Sequence, residues 1–139
     1  MKYKIFSLFY GQEHLLSGMK DNFLRSFYYR HVKIYSFVLL AVNAIIWVIA
    51  RFIGSNIDTD QIALHYNVDF GIDYYGDTEK IYIIPVLGLI IIVVNFFLYA
   101  NLSLRKDRKF ISHILLAAAG IANIILLAAI VSIYLVNFR

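Results

Sequence analysis

Apolar residues run along this chain in long unbroken blocks rather than in the alternating patterns of water-soluble elements. The first block is Ile34 to Ile53, the second Ile81 to Ala100 and the third Ile111 to about Val136. A helix rises ~1.5 Å per residue and a bilayer's hydrocarbon core is about 30 Å thick, so roughly 20 apolar residues are enough to cross it. Each block reaches that length, and the third can cross with some tilt. A soluble helix this long would turn a polar face to water, and none of the three has one. The pattern therefore predicts transmembrane helices over 34–53, 81–100 and 111–136.

The segments between the blocks differ from one another. Residues 1–33 form a cytoplasmic segment in which Leu15, Leu16, Met19, Phe23 and Phe27 fall on one helical stripe, with Lys20, Asp21, Asn22 and Arg25 mostly off it. Such an amphipathic helix lies on a membrane surface or packs against helices of its own chain or a partner. Residues 54–80 form an outer loop with Gly71 and Gly76 at turn positions and an Ile62–Phe70 alternation that suits a short extended stretch. Residues 101–110 form a short basic loop, and 137–139 an outer tail. The expected fold class is an all-α integral membrane protein: three transmembrane helices, an N-terminal amphipathic cytoplasmic helix and an ordered outer loop.

Composition sharpens this picture. The 139 residues are 61% hydrophobic and 16% charged, with one proline and no cysteine. Soluble domains carry roughly 45–50% apolar and about 25% charged residues, so neither an ordinary soluble domain nor a disordered chain fits. Without cysteine there are no disulfides, thiolate metal sites or cysteine nucleophiles. The net charge of +4 would suit a nucleic-acid partner, but its distribution argues for a lipid bilayer instead. Arg25, Arg30 and Lys33 precede the first span, and Arg105, Lys106, Arg108 and Lys109 sit between the second and third. The outer loop holds Asp58, Asp60, Asp69, Asp73, Asp77 and Glu79 against Lys80 alone. Cytoplasmic loops collect Lys and Arg, so the N-terminus and the 101–110 loop are placed inside, the acidic loop and the C-terminus outside. These seven basic residues are the expected cytoplasmic anchors of the spans.

Candidate chemistry is sparse. His65, Tyr66, Asn67, Asp69, Asp73 and Asp77 are the candidate binding residues of the outer loop. His65 and the carboxylates could ligate a divalent cation, but their spacing is neither that of an EF-hand nor that of a zinc-protease motif, and no metal or cofactor is expected. Inside the spans, Asn43, Asn95 and Asn123 fall one per helix, with Asn43 within about 5 Å of depth of each of the others at ~1.5 Å per residue. An amide in hydrocarbon needs a partner, so all three are expected to face the bundle and hydrogen-bond across helices. No carboxylate lies within a span to couple transport to protons or ions. His113 reads as an interfacial hydrogen-bonding residue. Ala117 to Gly120 with Ala122 allow close helix approach, within the chain or in a homo-oligomer. No catalytic constellation is present, so the expected role is non-enzymatic, in company with other membrane subunits.

One stretch carries a family likeness. LHYNVDFGIDYYGD followed by IIPVLGLIIIVVNF, within residues 63–97, resembles a domain of unknown function in small bacterial multi-pass membrane proteins. The matching positions are His65, Tyr66, Asn67, Gly71, Asp73, Gly76 and Pro85, while Ala63 stands where that domain usually has proline. The resemblance implies an inner-membrane protein with a structured outer loop. One branch of the domain is similar to the Sdp-type immunity proteins, which implies toxin immunity and signalling as an alternative role.

Overall fold

A computed structural model of the chain describes residues 29–57, 59–67, 69–102 and 107–138. The amphipathic segment over 12–27, Asp58, and the anchors Arg25, Arg105 and Lys106 lie outside the described residues, as does the side chain of Arg108. Helix α1 spans Arg30–Asn56, followed by strands β1 (Gln61–Asn67) and β2 (Gly71–Asp77). A short 3-10 turn, Thr78–Tyr82, leads into α2 (Ile83–Leu102), and α3 spans Arg108–Asn137. The three helices are long and apolar enough to cross a membrane. They run up, down and up, so the hairpin is attached at the end where α1 and α3 finish, and the starts of α1 and α3 meet at the other.

The helix boundaries follow local chemistry. α1 stops where Ser55 and Asn56 turn their side chains back onto the Phe52 carbonyl, at 3.1 and 2.8 Å. Pro85 sits in the first turn of α2, where an N–H has no carbonyl to meet, so the proline is accommodated.

In α1 the buried positions Leu39, Asn43, Ile46, Ala50 and Ile53 recur at alternating steps of four and three. Pro85, Gly88, Ile92, Phe96 and Tyr99 do much the same in α2. Leu116, Ala119, Asn123, Ile130 and Ile133 continue it in α3. This is the seam of left-handed, knobs-into-holes packing. It holds two apolar clusters. One, centred on Val32, Leu39, Phe96, Tyr99 and Leu116, lies at the end opposite the hairpin. The other, Ile46, Ile53, Ile62, Ile81, Ile130 and Ile133, lies beneath the hairpin. Large apolar residues outside the seam stay uncovered, Phe37 at 75% and Val48 at 67% exposure among them. A surface of that kind suits lipid rather than water.

Within the 54–80 loop, residues 61–77 form a β-hairpin, so the all-α expectation is corrected: the fold is mostly helical with one small two-stranded sheet. β1 and β2 pair antiparallel, with Tyr66 opposite Ile72 and Asn67 opposite Gly71. Isoleucine and tyrosine favour extended backbone on a pleated surface, and a three-residue connection closes the ribbon. Gly71 ends that connection at φ +76°, where a Cβ would be strained. An isolated two-stranded ribbon is marginal in water, so this one needs anchoring. Ile62 supplies it by packing into the cluster below, with Leu64 against its edge.

Candidate functional site

Three polar arrangements are built on this frame. The first is a layer of amides between the apolar clusters. Asn43 Nδ2 donates to the Pro85 carbonyl at 3.0 Å and to Asn123 Oδ1 at 3.4 Å. Asn123 Nδ2 donates to the Ala119 carbonyl of its own helix at 3.0 Å and to the Gly88 carbonyl at 3.4 Å. Two side chains thereby tie all three helices at one level. Gly88 makes room for them: a Cβ there would stand 2.6 Å from Asn43 Nδ2 and 2.7 Å from Asn123 Oδ1. Both amides are buried, at 3% and 0% exposure, and their protons are spent on carbonyls. The layer is therefore a structural tie and offers no polar lining to a substrate.

Asn95 departs from the expectation. It is half-buried and donates to the Ile91 carbonyl of its own helix at 2.9 Å, with no bond across the bundle. The buried stripe of α2 runs through Ile92, Phe96 and Tyr99, and position 95 lies beside it. Depth alone put Asn95 within about 5 Å of Asn43, but helical phase decides which face it joins.

The second arrangement is the hairpin. His65 and Asp73 meet across the strands, Nδ1 to Oδ1 at 2.6 Å, on an exposed surface. Asn67 Oδ1 accepts the Asp69 backbone N–H at 2.9 Å, the side-chain turn that steers the chain toward β2. Asp77 lies at the far end of the ribbon opposite Gln61 and pairs with Lys80 at 3.0 Å. Tyr66 is half exposed, and Phe70 at the tip is 83% exposed. The six loop candidates thus divide into a cross-strand pair, a turn, an ion pair at the base and one exposed ring. Among the described residues, no three histidine or carboxylate side chains come together as they would around a metal ion.

Asn137 fastens this hairpin to the bundle. Sequence placed it in a tail, but it is the last residue of α3. Its Oδ1 accepts the Ala63 N–H at 3.0 Å and its Nδ2 donates to the Ala63 carbonyl at 2.8 Å, as a neighbouring strand would do. At the hairpin's base, the Thr78 N–H donates to the Asp60 carbonyl at 3.0 Å and its hydroxyl to the Thr59 carbonyl at 2.9 Å. The signal available in sequence was an asparagine ending an otherwise apolar block.

At the opposite end, His31 Nε2 lies 3.0 Å from Ser112 Oγ, which donates to the Lys109 carbonyl at 2.6 Å. The His31 ring stacks on His113 at 4.9 Å, and Tyr35 meets His113 edge-on at 5.7 Å. His113 thus works through ring contacts, and His31 is the member that sequence overlooked. The exposed side chains of Arg30, Lys33 and Lys109 gather around this end. Three of the expected anchors thus share one end of the bundle. No protein-family model matches the chain, nor does any curated protein or solved structure.

Proposed function

We propose that the chain is a small, non-enzymatic integral membrane protein of the bacterial inner membrane that acts as an accessory or interaction subunit of a membrane assembly. The basic end faces the cytoplasm and the hairpin faces outward. The asymmetry of charge supports that orientation, with Arg30, Lys33 and Lys109 at one end and Asp60, Asp69, Asp73 and Asp77 at the other. The observation that carries the role is an open groove between α1 and α3 on the hairpin half of the bundle. Val48, Ile49, Phe52, Val131, Tyr134 and Leu135 line it, and its volume is about 470 Å³. A groove of aliphatic and aromatic side chains at membrane depth suits the ridge of another helix.

Purification of the full chain in mild detergent tests this. A defined hetero-complex or homo-oligomer that Val131→Trp dissociates, with the monomer still folded, is the expected result. A lone monomer whose behaviour Val131→Trp leaves unchanged would overturn it. The acidic hairpin favours a second reading, an immunity or sensing protein whose outer loop binds a peptide or cation. In that case His65→Ala or Asp73→Ala abolishes a peptide- or cation-dependent phenotype at unchanged abundance; a phenotype that survives both substitutions would discard it.

A further inference from the structure

The hairpin does not stand away from the bundle. β1 is clamped at Ala63 by the final residue of α3, and from there it runs back along that helix. A cleft of about 290 Å³ separates the two, with Leu64, His65 and Tyr66 on the strand side and Ala129, Ser132 and Ile133 on the helix side. Ala129 lies about 12 Å below Asn137 along the helix axis at ~1.5 Å per residue. Three strand residues beyond Ala63 reach about 10 Å in the same direction at ~3.3 Å per residue. The strand from Ala63 to Tyr66 therefore lies beside the last two turns of α3, with the cleft between them and the hairpin tip beyond it.

That depth can be placed against a bilayer. α3 has 30 residues, so it is about 45 Å long, some 15 Å more than the hydrocarbon core. Its last two turns consequently sit at headgroup level and in the first part of the acyl region. Aromatic rings mark the same level: Tyr134 stacks on Phe138 at 5.0 Å and Phe52 lies 5.7 Å from Phe138. Trp and Tyr gather at such interfaces because their rings are amphipathic. The hairpin presents Tyr66, Phe70, Ile72, Tyr74 and Tyr75 as exposed side chains at this depth, interleaved with His65 and Asp73. Its apolar surface is continuous through the cleft with the exposed apolar flank of α3.

We propose that the β-hairpin is a membrane-interface element whose partner is phospholipid: its aromatic tip, Phe70 foremost, is immersed among the headgroups beside α3, and the cleft between β1 and α3 is filled from the lipid side. This rests on the membrane-spanning reading above. It makes the hairpin a shallow second anchor on the outward side, with the Asp77–Lys80 pair at its base in water and Asp69 and the His65–Asp73 pair among the polar headgroups.

Trp47 is the chain's only tryptophan and lies in α1, so fluorescence separates the two layers of the claim. The full chain is reconstituted in phosphatidylcholine vesicles whose acyl chains are brominated near the carbonyl end or near the methyl end. Native Trp47 is the control, because quenching there reports insertion of the bundle. The double variant Trp47→Phe, Phe70→Trp is the reporter, and Trp47→Phe, Ile72→Trp repeats the measurement at a second site should the first variant fold poorly. The expected result is blue-shifted reporter emission, quenched more by bromine near the carbonyl end than near the methyl end. Red-shifted emission that bromine spares and aqueous iodide quenches would overturn the proposal. Blue-shifted emission spared by both quenchers would also overturn it, since protein would then cover the tip. Loss of bromine quenching at native Trp47 would instead overturn the membrane reading beneath it.

Discussion

Replacing Gly88 with alanine tests the amide layer most sharply, because the added carbon is small and its neighbours are known. A Cβ at position 88 would meet Asn43 Nδ2 at 2.6 Å and Asn123 Oδ1 at 2.7 Å, well inside ordinary contact. The nearest remaining atom, Leu126 Cδ1 at 3.4 Å, leaves no easy retreat on the α3 side. Either the amides rotate and give up their interhelical bonds, or α2 moves away from the seam. Interhelical hydrogen bonds in a membrane average about 0.6 kcal/mol, so losing the three that join Asn43, Asn123 and α2 costs about 2 kcal/mol. Forcing a carbon into a packed seam adds about 1–3 kcal/mol. Against this, alanine gains about 0.8–1 kcal/mol of helix propensity over glycine. The net expectation is a loss of about 2–4 kcal/mol. Reversible unfolding in mixed micelles, followed by circular dichroism, measures it. In a background carrying both Asn43→Ala and Asn123→Ala the cost of Gly88→Ala should shrink by at least about 1 kcal/mol, since the clash partners are gone. A neutral or stabilising Gly88→Ala in the native background would refute the amide layer as described.

Other expectations follow from individual contacts. Asn43→Leu should cost about 1–2 kcal/mol in the same unfolding measurement, because it removes bonds across two helices, whereas Asn95→Leu should stay within about 0.5 kcal/mol. Asn137→Ala removes both bonds to Ala63, worth about 1–3 kcal/mol together; hydrogen exchange should quicken across residues 61–77 while the helical core keeps its protection. Gly71→Ala forces a Cβ into a left-handed backbone at a cost of about 1–2 kcal/mol, which should show as faster exchange in the hairpin alone.

The unbroken blocks made the three helices legible, and their limits shifted by only a few residues once helix ends could extend past the apolar stretch. The seam was harder to see. In a soluble helix the buried face is the apolar one, but here Ile, Val, Leu and Phe also cover the outside, so hydropathy has no period to follow. What marks the seam is the reverse signal, small and polar residues such as Asn43, Ala50, Gly88, Ser112, Ala119 and Asn123. Depth set Asn95 and Asn123 alike within about 5 Å of Asn43. The bond across the bundle runs from Asn43 to Asn123, and the helical phase of Asn95 turns it aside from the stripe that buries Ile92 and Phe96. In the outer loop, the alternation at Ile62–Phe70 and the turn at Gly71 pointed to extended, ordered chain. Pairing with β2 depended on register, which no single segment specifies. The clamp from Asn137 joins residues 74 positions apart; an asparagine ending an apolar block marks the helix end, but nothing local names Ala63 as its partner.

The proposed arrangement is an oriented three-span bundle with its hairpin outside and its basic end inside. Because the chain has no cysteine, single substitutions give a clean reading of sidedness. Thr59→Cys at the hairpin base and Asn101→Cys near the end of α2 are treated with a membrane-impermeant maleimide in intact spheroplasts and again after permeabilisation. In this orientation Thr59→Cys is labelled in intact spheroplasts and Asn101→Cys only once the membrane is opened. Labelling of both in intact spheroplasts, or the reverse pattern, would contradict it.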